Sequence, residues 1–332
     1  MTSVAVIGDG QMGLVLADAL HSRGVDVRIW GPFPEDASNL AKTRTSPRLP
    51  NFNLPDKITV THDSEELFNG AEVAINAIPT QFIRGVWTSL MNCVPSGIPI
   101  ACVAKGIETE SLLLPTQVLC DVVGEASPTC VLSGPSIATE LVKHLPAVMV
   151  ASSSNAVMAE FVQDLFDVSW LRIYTHDDPV GVELSGATKN VIALAAGICD
   201  GMELGDNAKS AMLARGLAEI SRLGIELGAR LETFFGIAGV GDLATTCFSP
   251  HGRNRTCGER LGRGEDLAVI EKTMGSVVEG IATTKAVHQL ASHHNVNMPI
   301  SETMYNILFG GLQIEEAIAL LMSRDLKAEQ LS

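Results

Sequence analysis

No Cys-x-x-Cys pair occurs among the seven cysteines (Cys93, Cys102, Cys120, Cys130, Cys199, Cys247, Cys257). Most sit among apolar neighbours, so they read as reduced packing residues, and an odd count fits a cytosolic chain. Basic residues are also short: 23 Lys and Arg against 38 Asp and Glu leave a formal charge of -15. That balance argues against nucleic acid or an anionic membrane surface as partner, because phosphate backbones are bound by neutralising basic surfaces. Any anionic ligand must be held by a local basic cluster. The apolar run 191–198 is far too short to insert into a bilayer. The opening SVAVIGDG has neither the basic region nor the long apolar stretch of a signal peptide, so a cytoplasmic location is expected. Internal repeats and low-complexity tracts are missing. His293 and His294 lack a metal-ligand spacing and read as surface residues, and His251 reads as a loop histidine; no metal is expected.

What the chain has is length and apolar mass: 332 residues, 46% hydrophobic, enough for two cores. Residues 4–7 form a short β-branched-rich run that ends in Gly8-Asp9-Gly10-Gln11-Met12-Gly13. Helical periodicity follows over 14–22, and a second strand pattern over 26–30. In such a unit Gly8 makes the tight turn, Gly10 lets the backbone approach a pyrophosphate, and Gly13 lets helix and sheet pack closely. The pyrophosphate then rests on the helix N-terminus. The end of the second strand is less informative. An acid there suits NAD and an arginine nearby suits NADP, but this chain offers Trp30-Gly31-Pro32-Phe33. Glu35, Arg28 and Arg44 lie within plausible reach, each also readable as a solvated residue.

Beyond a Pro-rich loop (Pro47, Pro50, Pro55), strand patterns recur at 58–61, 73–78, 98–103, 130–132 and 147–151, with connections long enough for crossover helices. The expected first domain, 1–178, is therefore an α/β Rossmann-like domain with a mostly parallel sheet. Ligands bind at the carboxyl ends of such strands. Three of those ends carry distinctive residues: Pro79-Thr80-Gln81-Phe82, Lys105-Gly106 and Ser133-Gly134-Pro135-Ser136. From about 178 onward strand patterns stop and helical periodicity takes over, so 179–332 is expected to be all-α.

Lys189 and Asn190 sit in GVELSGATKNVIALAAGICDGM (181–202), a run otherwise made almost entirely of small and apolar residues. On a helix the face of Lys189 carries Ser185 and Gly186 one turn back and Ile192 and Ala193 one turn on, with no acid to pair with it. Either the ammonium reaches water at the helix edge, or it is partly desolvated, with a lowered pKa that suits a general acid or base. Further on, GIAGVGDLATTC (236–247) sets glycines beside Asp242. Gly252-Arg253-Asn254-Arg255 then offers guanidinium and amide donors that suit a phosphate. Arg253 and Arg255 beside Lys105 and Lys189 would supply the basic cluster; a basic loop that binds nothing is the alternative.

Together these motifs resemble the NAD(P)-dependent glycerol-3-phosphate dehydrogenase family over nearly the whole chain. GDGQMG, AKG (104–106), GPSIATE (134–140), GATKNVIALAAG (186–197), GVGDLATTC with GRNR (239–255) and VEG (278–280) stand in the family's order. The resemblance implies a helical second domain like the C-terminal domain of 6-phosphogluconate dehydrogenase. It also implies reversible hydride transfer between NAD(P)H and dihydroxyacetone phosphate, giving sn-glycerol 3-phosphate for phospholipid synthesis, in a cytoplasmic homodimer. It makes Lys189 the proton donor or acceptor, with Lys105, Asn190, Asp242 and Thr246 in the same site. Lys105, Gly134, Ser136, Lys189, Asp242, Gly252, Arg253 and Asn254 would contact substrate. Gly8, Gly10, Gln11, Met12, Gly13, Phe82, Lys105, Ala138, Arg253, Val277 and Glu279 would contact NAD or NADP.

Met12 and Leu14 replace an aromatic residue and a threonine frequent in bacterial members, and Gly252 replaces a serine. Pro32 lies where a basic residue often meets a 2′-phosphate. Competing readings are another two-domain dehydrogenase acting on a hydroxy acid or nucleotide sugar, and a non-catalytic nucleotide-sensing protein of the same fold.

Overall fold

A computed structural model of the chain describes residues 2–325 apart from 251 and 276, together with 328 and 329; His251 therefore lies outside the described residues. The chain divides into two compact units, one of Met1–Ala104 and Pro115–Pro179, the other of Lys105–Leu114 and Val180–Ser332. A single cut at 178 thus misses one exchange: the short Lys105–Leu114 segment belongs to the second unit.

The first unit is built on an eight-stranded sheet. Its strands are β1 (Ser3–Ile7), β2 (Asp26–Trp30), β5 (Thr59–Thr61), β6 (Val73–Asn76), β7 (Ile100–Cys102), β8 (Thr129–Ser133), β9 (Ala147–Ser152) and β10 (Leu171–His176). β3 (Thr45–Ser46) and β4 (Leu49–Asn53) form a separate antiparallel hairpin inside the Pro-rich loop. The sheet order is β10-β9-β8-β7-β6-β1-β2-β5, and only the β8–β9 pair is antiparallel. Val4, Ala5, Val6 and Ile7 are wholly buried, as expected for a central strand covered on both faces. Burial of each valine or isoleucine side chain among them contributes about 1.5–3 kcal/mol. β10 escapes the sequence patterns because it is half exposed. Leu171 and Ile173 point inward while Arg172 and Tyr174 face outward, the guanidinium 5.0 Å from the Tyr174 ring.

The second unit is helical among its described residues. Its centre is the helix Pro179–Gly201, in which every residue from Gly181 to Cys199 is buried. A helix apolar all round belongs inside a bundle, and small residues are what let neighbours approach it. Gly197 and Gly201 face the helix Arg253–Gly262. A Cβ on Gly197 would collide with the Arg255 carbonyl oxygen, one on Gly201 with that of Glu259, and one on Gly258 with that of Leu194. These are backbone atoms that cannot turn aside. Gly258→Ala is therefore expected to cost at least about 1–3 kcal/mol through overpacking, seen as a thermal midpoint several degrees lower. An unchanged midpoint would mean that the two helices part at no cost.

Candidate active site

In the first unit the glycines of the turn differ in what surrounds them. Gly8 has φ +118°, and a Cβ there would lie 2.8 Å from the Ala77 carbonyl oxygen. Its N–H donates to the Trp30 carbonyl at 2.9 Å, tying the turn to the end of β2. A Cβ on Gly13 would strike the Gly8 carbonyl, whereas one on Gly10 would meet nothing within 4 Å. Packing thus explains Gly8 and Gly13 but not Gly10. Gly10 caps the helix Gln11–Ser22 without a side-chain hydrogen bond and with no acid in the first turn, an arrangement that suits a bound pyrophosphate. Met12 packs against the core. Phe82 is half exposed just beyond β6, Gly134 (φ +132°) and Ser136 follow β8, and the buried Ala138 opens a short turn of helix. The residues of this loop fit a dinucleotide.

The second unit holds a buried network of two lysines on one carboxylate. Asp242 is 1% exposed and accepts from two ammonium groups: Lys189 Nζ on Oδ1 at 2.5 Å and Lys105 Nζ on Oδ2 at 2.7 Å. Lys189 Nζ also donates to Thr246 Oγ1 at 2.6 Å, one helical turn beyond Asp242. No acid stands one turn from Lys189 on its own helix, and its partner arrives from 53 residues away. Glycines make that arrival possible. At Gly239 the backbone leaves helical geometry (φ -89°, ψ -106°), where any Cβ would collide with Phe234, and the chain then enters the helix Asp242–Phe248. An acid in a first helical turn is also favoured by the helix dipole.

Lys189 is 7% exposed, so the solvated-edge reading is excluded. Burial lowers its pKa from 10.5 to about 8; Asp242 pulls upward against this, and the nearby Lys105 charge pushes further down. Two ammoniums on one carboxylate leave a net positive charge that suits an anionic or anion-forming ligand.

Asn190 follows Lys189 but takes no part in that network: among the described residues its buried Nδ2 has no hydrogen-bond partner. Asn254 Oδ1 accepts from Gly280 N at 2.9 Å, and a Cβ on Gly280 would sit 2.8 Å from that oxygen and 2.9 Å from the Asn190 carbonyl. The absent side chain of Gly280 thus brings Asn190 and Asn254 together. Arg253 Nη1 donates to the Val277 carbonyl at 3.1 Å, beside Glu279, the first residue of the helix Glu279–His293. Gly252 precedes the Arg253 helix as its N-cap.

Arg255 is a correction to the basic cluster read from the sequence. Its guanidinium pairs with Asp200 at 2.6 Å and Glu259 at 3.5 Å, and Asp200 also binds Lys209 at 2.7 Å, so Arg255 braces helices. Arg28 and Arg44 are likewise occupied, Arg28 with Asp26 and the Asn69 carbonyl, Arg44 with Asp56 and the Ile58 carbonyl. The arginine near the end of β2 is Arg48, which no periodicity marks. It reaches Asp9 of the glycine loop at 3.2 Å.

A Rossmann unit with an open glycine cradle, followed by a helical unit that buries a lysine on a carboxylate, defines a nicotinamide-dependent dehydrogenase class. The family models for the N-terminus and the C-terminus of NAD-dependent glycerol-3-phosphate dehydrogenase match residues 3–159 and 178–319. Similar curated proteins include glycerol-3-phosphate dehydrogenase [NAD(P)+] 2 of Salinibacter ruber, 42% identical over 99% of this chain and 96% of that one. Glycerol-3-phosphate dehydrogenase [NAD(P)+] of Geobacillus kaustophilus is 43% identical, again over 99% and 96%. The crystal structure of glycerol-3-phosphate dehydrogenase from Coxiella burnetii superposes with a TM-score of 0.94 at 32% identity, covering 97% of this chain and 99% of that one. This chain belongs to the NAD-dependent glycerol-3-phosphate dehydrogenase family.

Proposed function

We propose that this protein interconverts dihydroxyacetone phosphate and sn-glycerol 3-phosphate with NAD(P)H, supplying the glycerol phosphate of phospholipid synthesis. The observation that carries the reading is the buried Lys189 ammonium held between Asp242 and Thr246, with Lys105 on the same carboxylate. When bound at the Gly8–Gly13 turn, with Gln11, Met12, Phe82, Ala138, Val277 and Glu279 as further contacts, the reduced dinucleotide supplies hydride. As the carbonyl carbon is reduced, negative charge grows on its oxygen, and Lys189 Nζ stabilises that charge and then donates its proton. Lys105 adds positive charge beside it. Asp242 keeps both amines oriented, and the Asn190 amide offers a donor to a substrate hydroxyl. Arg253 and Asn254 hold the phosphate: Val277 engages one of five guanidinium N–H donors, and Gly280 engages the Asn254 oxygen, which leaves the amide NH2 as the end that can donate to a phosphate. Gly134, Ser136 and Gly252 complete the substrate contacts. Phosphate binding remote from the carbonyl can then be used to position it.

No helix among the described residues is long and apolar enough to cross a membrane. Family resemblance is the ground for proposing a cytoplasmic homodimer, and the -15 charge is the ground for excluding nucleic acid as partner. The test is loss of reduced-nicotinamide absorbance on mixing the purified protein with dihydroxyacetone phosphate, beside a phosphate-free dihydroxyacetone control. The control is expected to lose about two orders of magnitude or more in kcat/KM. Equal turnover of the two ketones would remove the phosphate role of Arg253, and turnover of neither would remove the reading.

The Lys189 pKa fixes the sign of the pH dependence. Ketone reduction needs the ammonium, so its kcat/KM is level below about pH 8 and falls above it. Alcohol oxidation needs the free amine and rises through the same region to a plateau. Profiles moving the same way in both directions would assign the proton to another group.

A further inference from the structure

In a Rossmann unit the adenosine ribose meets the residue that ends the second strand, where a carboxylate takes the 2′-hydroxyl of NAD and a nearby arginine accommodates the 2′-phosphate of NADP. Here β2 ends at Trp30 and the next residue, Gly31, has no side chain. The missing side chain leaves room that another residue fills: a Cβ on Gly31 would lie 2.7 Å from Asp9 Oδ2. A carboxylate therefore does stand at the end of β2, delivered by the glycine loop.

Asp9 is 5% exposed and pairs with Arg48 Nη1 at 3.2 Å, while Arg48 Nη2 binds Asp36 Oδ2 at 2.8 Å. The Arg48 backbone is pinned as well, its carbonyl accepting from Gln11 Nε2 at 2.6 Å. One guanidinium thus lies between two carboxylates, and with exposed Glu35 beside Asp36 at the start of the helix Pro34–Thr43 the formal local charge is one positive and three negative, or -2. Burial raises the pKa of Asp9, and the Arg48 guanidinium opposes that rise.

We propose that the Asp9–Arg48–Asp36 chain makes this enzyme prefer NADH, by presenting carboxylate to a 2′-hydroxyl and withholding its arginine from a 2′-phosphate. A lone Arg48 would read as an NADP clamp. The buried acid reverses that reading: a 2′-phosphate brings about -1.5 to -2 charge into a site already negative. To bind it, Arg48 would have to desert Asp9, leaving a buried carboxylate without its counter-charge. The inference rests on placing the dinucleotide at the glycine loop, as the functional reading does.

The experiment is equilibrium titration of the full-length protein with NADH and with NADPH, followed by nicotinamide fluorescence without any ketone. NADH is expected to bind at least about tenfold more tightly. Asp9→Asn, and separately Asp36→Asn, should narrow the ratio by strengthening NADPH. Asp36 is exposed, so its variant carries the test if Asp9→Asn fails to fold. The inference is overturned if the wild type binds NADPH as tightly as NADH, if foldable Asp variants leave the ratio within about twofold, or if neither dinucleotide binds. A protein with the expected ratio that does not turn over dihydroxyacetone phosphate would uphold this inference while striking down the proposed reaction.

Discussion

Lys189→Ala lowers kcat for dihydroxyacetone phosphate reduction by about two to four orders of magnitude, the range general acid catalysis supplies, while the NADH dissociation constant stays within about twofold. The binding arm follows from where the residues lie: the glycine turn belongs to the first unit and Lys189 to the second. Rescue of the fold is built into the site. Removing Lys189 leaves Asp242 still paired with Lys105 at 2.7 Å, so no buried carboxylate is orphaned. Steady-state kinetics and a fluorescence titration on the same preparation check both arms. Turnover within about tenfold of wild type would remove the acid–base role, and loss of NADH binding would mean that the variant reports structure instead of chemistry.

Asp242→Asn is the second large effect, and it works through the lysines. The carboxylate is the influence that holds the Lys189 pKa up against burial and Lys105; without it the value falls below about 8, and less ammonium remains at neutral pH. Reduction at pH 7 should lose about 10²–10⁴-fold, the contribution of a positioned acid. The bend in its pH profile should move to lower pH, a shift that simple loss of folded protein does not produce. Removing one member of a buried ion pair typically costs about 3–5 kcal/mol, here lessened because Lys189 can shed its proton.

Linkage gives a further sign. Folded Lys189 titrates at about 8 against 10.5 when free, so between those values the unfolded chain holds more protons and stability rises with pH. In Asp242→Asn that window opens at a lower pH. A variant whose profile bends at the wild-type pH would show that Asp242 does not govern Lys189.

Much of this site can be seen in the linear chain, because some of its chemistry is local. In the Gly8–Gly13 turn, Gly8 and Gly13 leave no room for a side chain, a steric demand that acts between near neighbours. Lys189 stands out because charge is rare in an otherwise small and apolar helix. Local pattern fails where partners are set by chain crossing. Nothing near Arg255 announces that Asp200 will take its charge, and nothing near Lys105 says that its ten-residue segment packs with the helical unit. β10 was hidden by its exposed face, and Arg48 by a loop with no period.

By itself, then, the sequence determined the two kinds of layer, the glycine turn and the lysines that stand out from their surroundings, since propensity and glycine sterics act over a few neighbouring residues. Only the tertiary structure decided that Asp242 joins Lys105 and Lys189 across 137 and 53 residues, and that Asp9 fills the space left by Gly31. Charge pairing and steric complementarity of this kind depend on distance through space, which separation along the chain does not encode.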